Sequence, residues 1–270
     1  MTHIRCALVF LVVTCLPIAP ALADDATELA KKTQNPIADL ISLPIQSNFN
    51  LGAGSDNDLQ YIANIQPVLP INIGLTDWRM VNRPILPVMY QPELAPGVGK
   101  EWGLGDLVYQ AYMVPPEFDA GLTLGFGPVF SFPTATDDIF GTGKWSVGPA
   151  LVAIVPKGPW VVGGLINHLW SFAGDSDRDD VSFTTVQPII NYNLGNGLYL
   201  ASVPIMNADW KRDSGDRWTV PLGGGVGKVF MLGKLPINAS LQGYYNVTRP
   251  DGVGRAQIRF QIQTLFPKPG

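Results

Sequence analysis

Four arginines stand in two pairs at one spacing, Arg79 with Arg83 and Arg255 with Arg259. Residues four apart on an extended chain share a face, so each pair would project two guanidinium groups in the same direction. A guanidinium keeps its charge at any working pH, and its planar fork of donors fits the oxygens of a carboxylate or a phenolate. Asp106 is the acid placed to answer them, with Asp24, Asp25 and Glu28 near the amino terminus as alternatives. Paired with those acids the arginines are ionic struts or a latch. Unpaired, they form a surface that prefers anions.

The other chemical constellations are weaker. His168 would need a serine on its own face to act as the base of a hydrolase, and Ser171 and Asn167 both stand an odd number of residues away. No catalytic residue is therefore assigned and no enzyme activity is expected. GGGVGK from Gly223 lacks the first glycine of a phosphate loop, where Leu222 stands, and has Val229 in place of the Ser or Thr. DSDRDD from Asp175 has alternating aspartates like a calcium loop, but Asp180 and Val186 occupy the positions that need Gly and Glu. No metal or cofactor site follows from either.

The elements that carry the arginines read as strands. In RAQIRFQIQTLF, residues 255–266, the apolar Ile258, Phe260, Ile262 and Phe266 alternate with Gln257, Arg259, Gln261 and Gln263, a period of two. Strand-like runs recur at roughly 43–51, 59–71, 78–91, 104–114, 121–132, 145–155, 160–171, 181–193, 197–206, 217–229, 235–246 and 254–266, so that twelve strands are expected. The connections alternate between short ones, such as PKGP and NLGNG, and longer acidic ones, such as AGDSDRDD and NADWKRDSGD. A soluble sandwich has no reason to sort its loops this way, whereas an up-and-down barrel with one short-turn end does. Trp78, Tyr90, Trp145, Trp160, Trp170, Trp218 and Phe266 fall near run ends, where aromatic girdles meet a membrane interface.

The reading is therefore an all-β, up-and-down antiparallel transmembrane barrel of about twelve strands with a short, partly helical N-terminal segment. Its apolar face points to lipid and Arg79, Arg83, Asp106, Arg255 and Arg259 line the lumen. Residues 1–23 read as a signal peptide cut after Ala23, which would carry away Cys6 and Cys15. Residues 24–42 read as a periplasmic tail or plug holding a turn or two of helix at most, and 43–270 as the barrel. Charged residues make up 15% of the chain and the net charge is −4, so no basic patch points to nucleic acid. Pro67, Pro84, Pro128, Pro149, Pro188, Pro204 and Pro221 run against this reading, since each removes a ladder donor where no water replaces it. They mark either bulges at strand ends or an interrupted wall.

Short motifs along the whole mature chain, among them ELAKKTQNPIADLISLP (Glu28 to Pro44), RPILPV (Arg83 to Val88), FPTATD (Phe132 to Asp137), NHLWSFAGD (Asn167 to Asp175) and LFPK (Leu265 to Lys268), resemble the MetA-pathway phenol-degradation family of bacterial outer-membrane proteins. The resemblance implies a Gram-negative outer-membrane barrel that takes up small, aromatic or otherwise apolar molecules. Its implied partners are outer-membrane lipid, a small solute and the barrel-assembly machinery. A structural barrel with a filled lumen and a lipid-modifying enzyme are the rival readings.

Overall fold

The computed structural model describes residues 20–74, 77–93, 100–118 and 121–266, with side chains from residue 26. Residues 1–19 of the expected signal peptide, and the PKPG end, lie outside the described residues. Twelve staves form one sheet closed on itself. They are β1 (Ile41–Ala53), β2 (Asp58–Ile65 and Leu69–Asn72), β3 (Arg79–Gln91), β4 (Glu101–Leu104 and Leu107–Val114), β5 (Thr123–Phe132) and β6 (Lys144–Lys157). The second half comprises β7 (Trp160–Gly174), β8 (Ser182–Gly195), β9 (Leu198–Ser202 and Met206–Asp209), β10 (Trp218–Leu232), β11 (Leu235–Thr248) and β12 (Ala256–Phe266). Each pairs antiparallel with its sequence neighbour, and β1 closes on β12 from Ile41↔Phe266 to Leu51↔Ala256. Closure satisfies every edge, the condition for a sheet to cross lipid.

Burial along β12 shows which face is which. Ile258, Phe260 and Ile262 are 45%, 40% and 39% exposed, whereas Arg259 and Gln263 between and beyond them are 2% and 6% exposed. That inverts a soluble sandwich: the apolar face is outermost and the amides and cations lie within. No helix among the described residues is long and apolar enough to cross a membrane.

The interior is not uniformly polar. Val81 of β3, Tyr112 and Val114 of β4, Val129 of β5, Val152 and Ile154 of β6, and Leu165 of β7 pack into one apolar cluster inside the barrel. Ile37, from the chain preceding β1, inserts into this cluster with 0% exposure. Gly125 leaves the room, because a Cβ there would lie 2.6 Å from Ile37 Cδ1. Buried amides and Arg259 line the inner face of β1, β11 and β12, while β4–β7 contribute mostly aliphatic side chains there, with Gln110, Ser146 and Asn167 among them.

The N-terminal helix α1 spans Pro20–Thr33, longer than the expected turn or two. Lys31 and Lys32 in its last turn favour the negative end of the helix, Gln34 closes that turn through its N–H to the Ala30 carbonyl, and Pro36 prevents continuation. The segment lies within the short-turn end of the barrel. Ala30 packs on Tyr199, Ala201 and Val229, and Thr33 Oγ1 accepts from Asn238 Nδ2 at 3.2 Å. Gln34 Nε2 donates to Asn193 at 2.9 Å and Asn35 Nδ2 to Thr123 at 3.2 Å.

Strand prolines are placed so that one lapse serves several rings. Pro128 faces Pro149 directly across β5 and β6. Pro67 and Pro204 sit in the breaks of β2 and β9, and Pro221 lies at a register shift in β10. Val186 pairs with Met206 and Ile190 with Ser202, so Pro188 stands opposite Pro204, where neither could donate to the other. The ladder on both sides of β9 lapses at that height.

Candidate functional site: the lumen

Two cavities in series run through the barrel. One, of about 370 Å³, lies above the N-terminal segment and is lined by Gln46, Gln66, Arg83, Gln110, Leu165 and Ile189 among others. The other, of about 390 Å³, reaches the long-loop mouth at Asp209, Arg212, Arg217 and Pro250. Gln46, Asn64, Phe183, Ile205 and Arg259 line both, and so mark the neck between them.

Arg259 builds that neck. Its Nε donates to Asn48 Oδ1 at 3.0 Å, Nη1 to the Val203 carbonyl at 2.7 Å and Nη2 to Gln257 Oε1 at 2.9 Å. The guanidinium carbon lies 4.9 Å from the centre of the Tyr244 ring, a cation–π contact. Tyr244 in turn accepts from the Val203 N–H at 3.1 Å and donates to Gln242. The break in β9 after Ser202 supplies both Val203 groups. Freed from the ladder, this Val-Pro-Ile stretch has its N–H and C=O taken by side chains of β11 and β12.

Arg83 is placed differently. Nη1 donates to Gln110 Oε1 at 3.1 Å and Nη2 to Gln66 Oε1 at 3.3 Å, both neutral amides on flanking staves. Its Nε–H has no partner, and the Tyr112 hydroxyl beside it, buried and likewise unpartnered, falls short of hydrogen-bond geometry. Among the described residues no carboxylate comes within ion-pair distance of Arg83 or Arg259.

The remaining sequence-level candidates separate. Arg79 is partly buried near the short-turn end, with Nη1 3.9 Å from Asp39 Oδ2 of the N-terminal segment. Arg255 stands exposed at the long-loop rim, its backbone bonded to Leu51 and Asn246. Asp106 is buried and meets none of the arginines. It accepts from the N–H of Ala135 at 3.2 Å and of Thr142 at 2.7 Å, and from Thr142 Oγ1 at 2.9 Å, shaping the loop after β5. That loop folds into the mouth: Phe140 occupies the space where a Cβ on the inward-facing Gly103 would stand, and Gln91 bonds the Ile139 carbonyl.

The acidic run after β7 is occupied as well. Asp175 caps its own turn through the Asp177 N–H, Arg178 bonds the Gly141 carbonyl of the neighbouring loop, and Asp180 lies 3.6 Å from Lys144 and 3.8 Å from Lys211. On the outer face, cross-strand register brings His168 polar neighbours that chain spacing does not reveal. Thr184 Oγ1 lies 2.7 Å from Nδ1 and Ser182 Oγ 3.4 Å from Nε2, and Trp210 Nε1 donates to the same Thr184 hydroxyl. Among the described residues no carboxylate orients the ring, and Trp170 lies against it with centroids 4.0 Å apart.

Sequence reasoning missed Phe183, Val203, Ile205 and the glutamine set around Arg83. The recurring Asn and Gln at alternate positions of β1, β2, β11 and β12 were the available signal for a polar inner wall. No protein-family model matches the chain, and neither does any curated protein. Among solved structures, the crystal structure of an outer membrane channel from Pseudomonas putida F1 has a similar fold, with a TM-score of 0.61 at 16% identity over 83% of this chain and 94% of that one.

Proposed function

We propose that this chain is an outer-membrane channel for small molecules that combine an apolar body with a polar group. The carrying observation is the lumen itself: two cavities joined at a neck, the inner one lined by aliphatic side chains such as Val108, Leu165, Leu169 and Ile189 on one part of the wall and by amides and guanidinium groups on another. A sugar porin would have no use for the aliphatic part, and a barrel filled only for strength would leave no cavity of ligand size. The similarity to the Pseudomonas putida channel supports a barrel of this kind, and the resemblance to the MetA-pathway phenol-degradation proteins supports aromatic or apolar solutes.

In this reading a signal peptide ending at Ala23 directs export, the barrel-assembly machinery inserts the sheet, and lipid surrounds the outer face. Residues 24–42 act as a plug at the periplasmic, short-turn end. Liposome swelling with organic acids, sugars and aromatic solutes too polar to cross lipid unaided tests it. Swelling with the acids and polar aromatics that exceeds the sugar response is the expected result. Rates equal to protein-free vesicles for every solute would favour the filled-lumen structural barrel instead.

A further inference from the structure

We infer that Arg83 is the anchor of a binding site for monocarboxylates carrying a small apolar body, a substrate class within the channel reading above. A guanidinium removed from water keeps its charge, and the surroundings must answer that charge or bear a large desolvation cost. Arg259 is answered on Nε, Nη1 and Nη2 and by an aromatic face. Arg83, 8% exposed, receives two neutral amide oxygens and nothing on Nε. The Tyr112 hydroxyl beside it is a second buried donor without a partner. Arg83 therefore lines the cavity as a buried cation with no carboxylate within ion-pair distance among the described residues, and a ligand carboxylate would supply the missing charge with two oxygens in the planar geometry a guanidinium binds best.

The cavity next to Arg83 defines the rest of the ligand. On staves four and five places round the twelve-stave wall, Leu165 and Ile189 line the same cavity, so a molecule whose carboxylate meets Arg83 lays its body against aliphatic side chains. Its volume of about 370 Å³ admits a single ring or a short chain. Gln66 and Gln110, which line the same cavity, hold the guanidinium through their amide oxygens.

Isothermal titration calorimetry on the detergent-solubilised mature chain tests the inference with benzoate, benzamide, acetate and inorganic phosphate as probes. Benzoate is expected to bind on the order of tenfold or more tightly than benzamide, the worth of one charge-assisted bond pair. The preference should vanish in Arg83→Met and be reduced in Arg83→Lys, with heat-modifiable gel migration showing that each variant is folded. Equal binding of benzoate and benzamide by the wild type, or a preference retained in Arg83→Met, overturns the proposal. Acetate or phosphate binding as tightly as benzoate overturns the apolar half of it. The channel reading is judged separately: swelling without a carboxylate preference leaves it standing, and binding without swelling removes it while leaving the site.

Discussion

Arg83 and Arg259 are the same side chain, buried in the same lumen, with opposite surroundings. Arg259 is satisfied by four staves: Asn48 of β1, the broken β9, Tyr244 of β11 and Gln257 of its own β12. Arg83 leans on two glutamines and keeps an idle Nε–H. A buried charge met on every donor is a fastener, whereas one left partly unmet is a site held ready for something the chain does not contain. The difference lies in what each backbone break supplies: β9 breaks at Val203 and offers that carbonyl to Arg259, while the break in β2 brings Arg83 only the side-chain oxygen of Gln66.

The largest expected effect separates these roles. Arg259→Met strips partners from the Val203 carbonyl, Asn48 and Gln257 at once and should cost about 3 kcal/mol or more, since each buried acceptor left unmet costs about 1–3 kcal/mol. Arg83→Met removes an unanswered charge and should change stability by no more than about 1 kcal/mol, in either direction. The temperature at which the folded gel band converts to the unfolded one ranks the two. A larger drop for Arg83→Met than for Arg259→Met would reverse their roles.

Next comes the apolar cluster inside the barrel. Ile37→Ala should weaken docking of the N-terminal segment by about 2–4 kcal/mol, the usual cost of emptying a fully buried aliphatic site. Planar-bilayer recordings should then show larger or noisier conductance, and unchanged traces would mean that polar contacts alone hold the segment.

Smaller effects sharpen the comparison at the two tyrosines. Tyr244→Phe deletes the acceptor of the Val203 N–H and the donor to Gln242, for a loss of about 1–2 kcal/mol. Tyr112→Phe deletes a hydroxyl that bonds nothing and should be neutral or stabilising; a loss there as large as at Tyr244 would show that the hydroxyl has a partner in solution. Smallest of all, Arg255→Gln at the exposed rim should shift stability by less than about 0.5 kcal/mol and leave the anion-to-cation permeability ratio unchanged. A fallen ratio would extend the charged wall out to the rim.

Much of this architecture was legible in the chain. The alternation in β1 and β12 set polar against apolar faces, and turn residues such as Asn196–Gly197 marked the ends. The twelve expected runs match the twelve staves closely, because period-two patterning and turn chemistry are local. The interior was not legible to the same degree. WVVGGLINHLW in β7 is apolar on both faces, so periodicity could not say that Leu165 lies inside and Ile166 outside. Nor could spacing show that Asp106 serves a loop rather than an arginine, since that depends on how the β5–β6 connection folds back. The meeting of Val203 with Arg259, and of Ser182 with His168, depends on cross-strand register and on a three-residue break, neither of which a single stretch encodes.

The seam between β1 and β12 carries a further meaning for how the chain is made. Asn48 and Arg259 are 211 residues apart, Asn50 and Gln257 are 207 apart, and Ser42 and Gln263 are 221 apart, and each pair is joined by a side-chain bond. Those bonds can form only when the last strand has been delivered, and in the right phase, because a slip of one residue would turn Arg259 to the apolar outer face. A chain stopped short leaves the Val203 carbonyl and Asn48 unmet, and a misregistered one places a cation among the apolar side chains of the outer face. The buried arginine at the seam thus ties both completeness and phase of the closed sheet to one set of bonds.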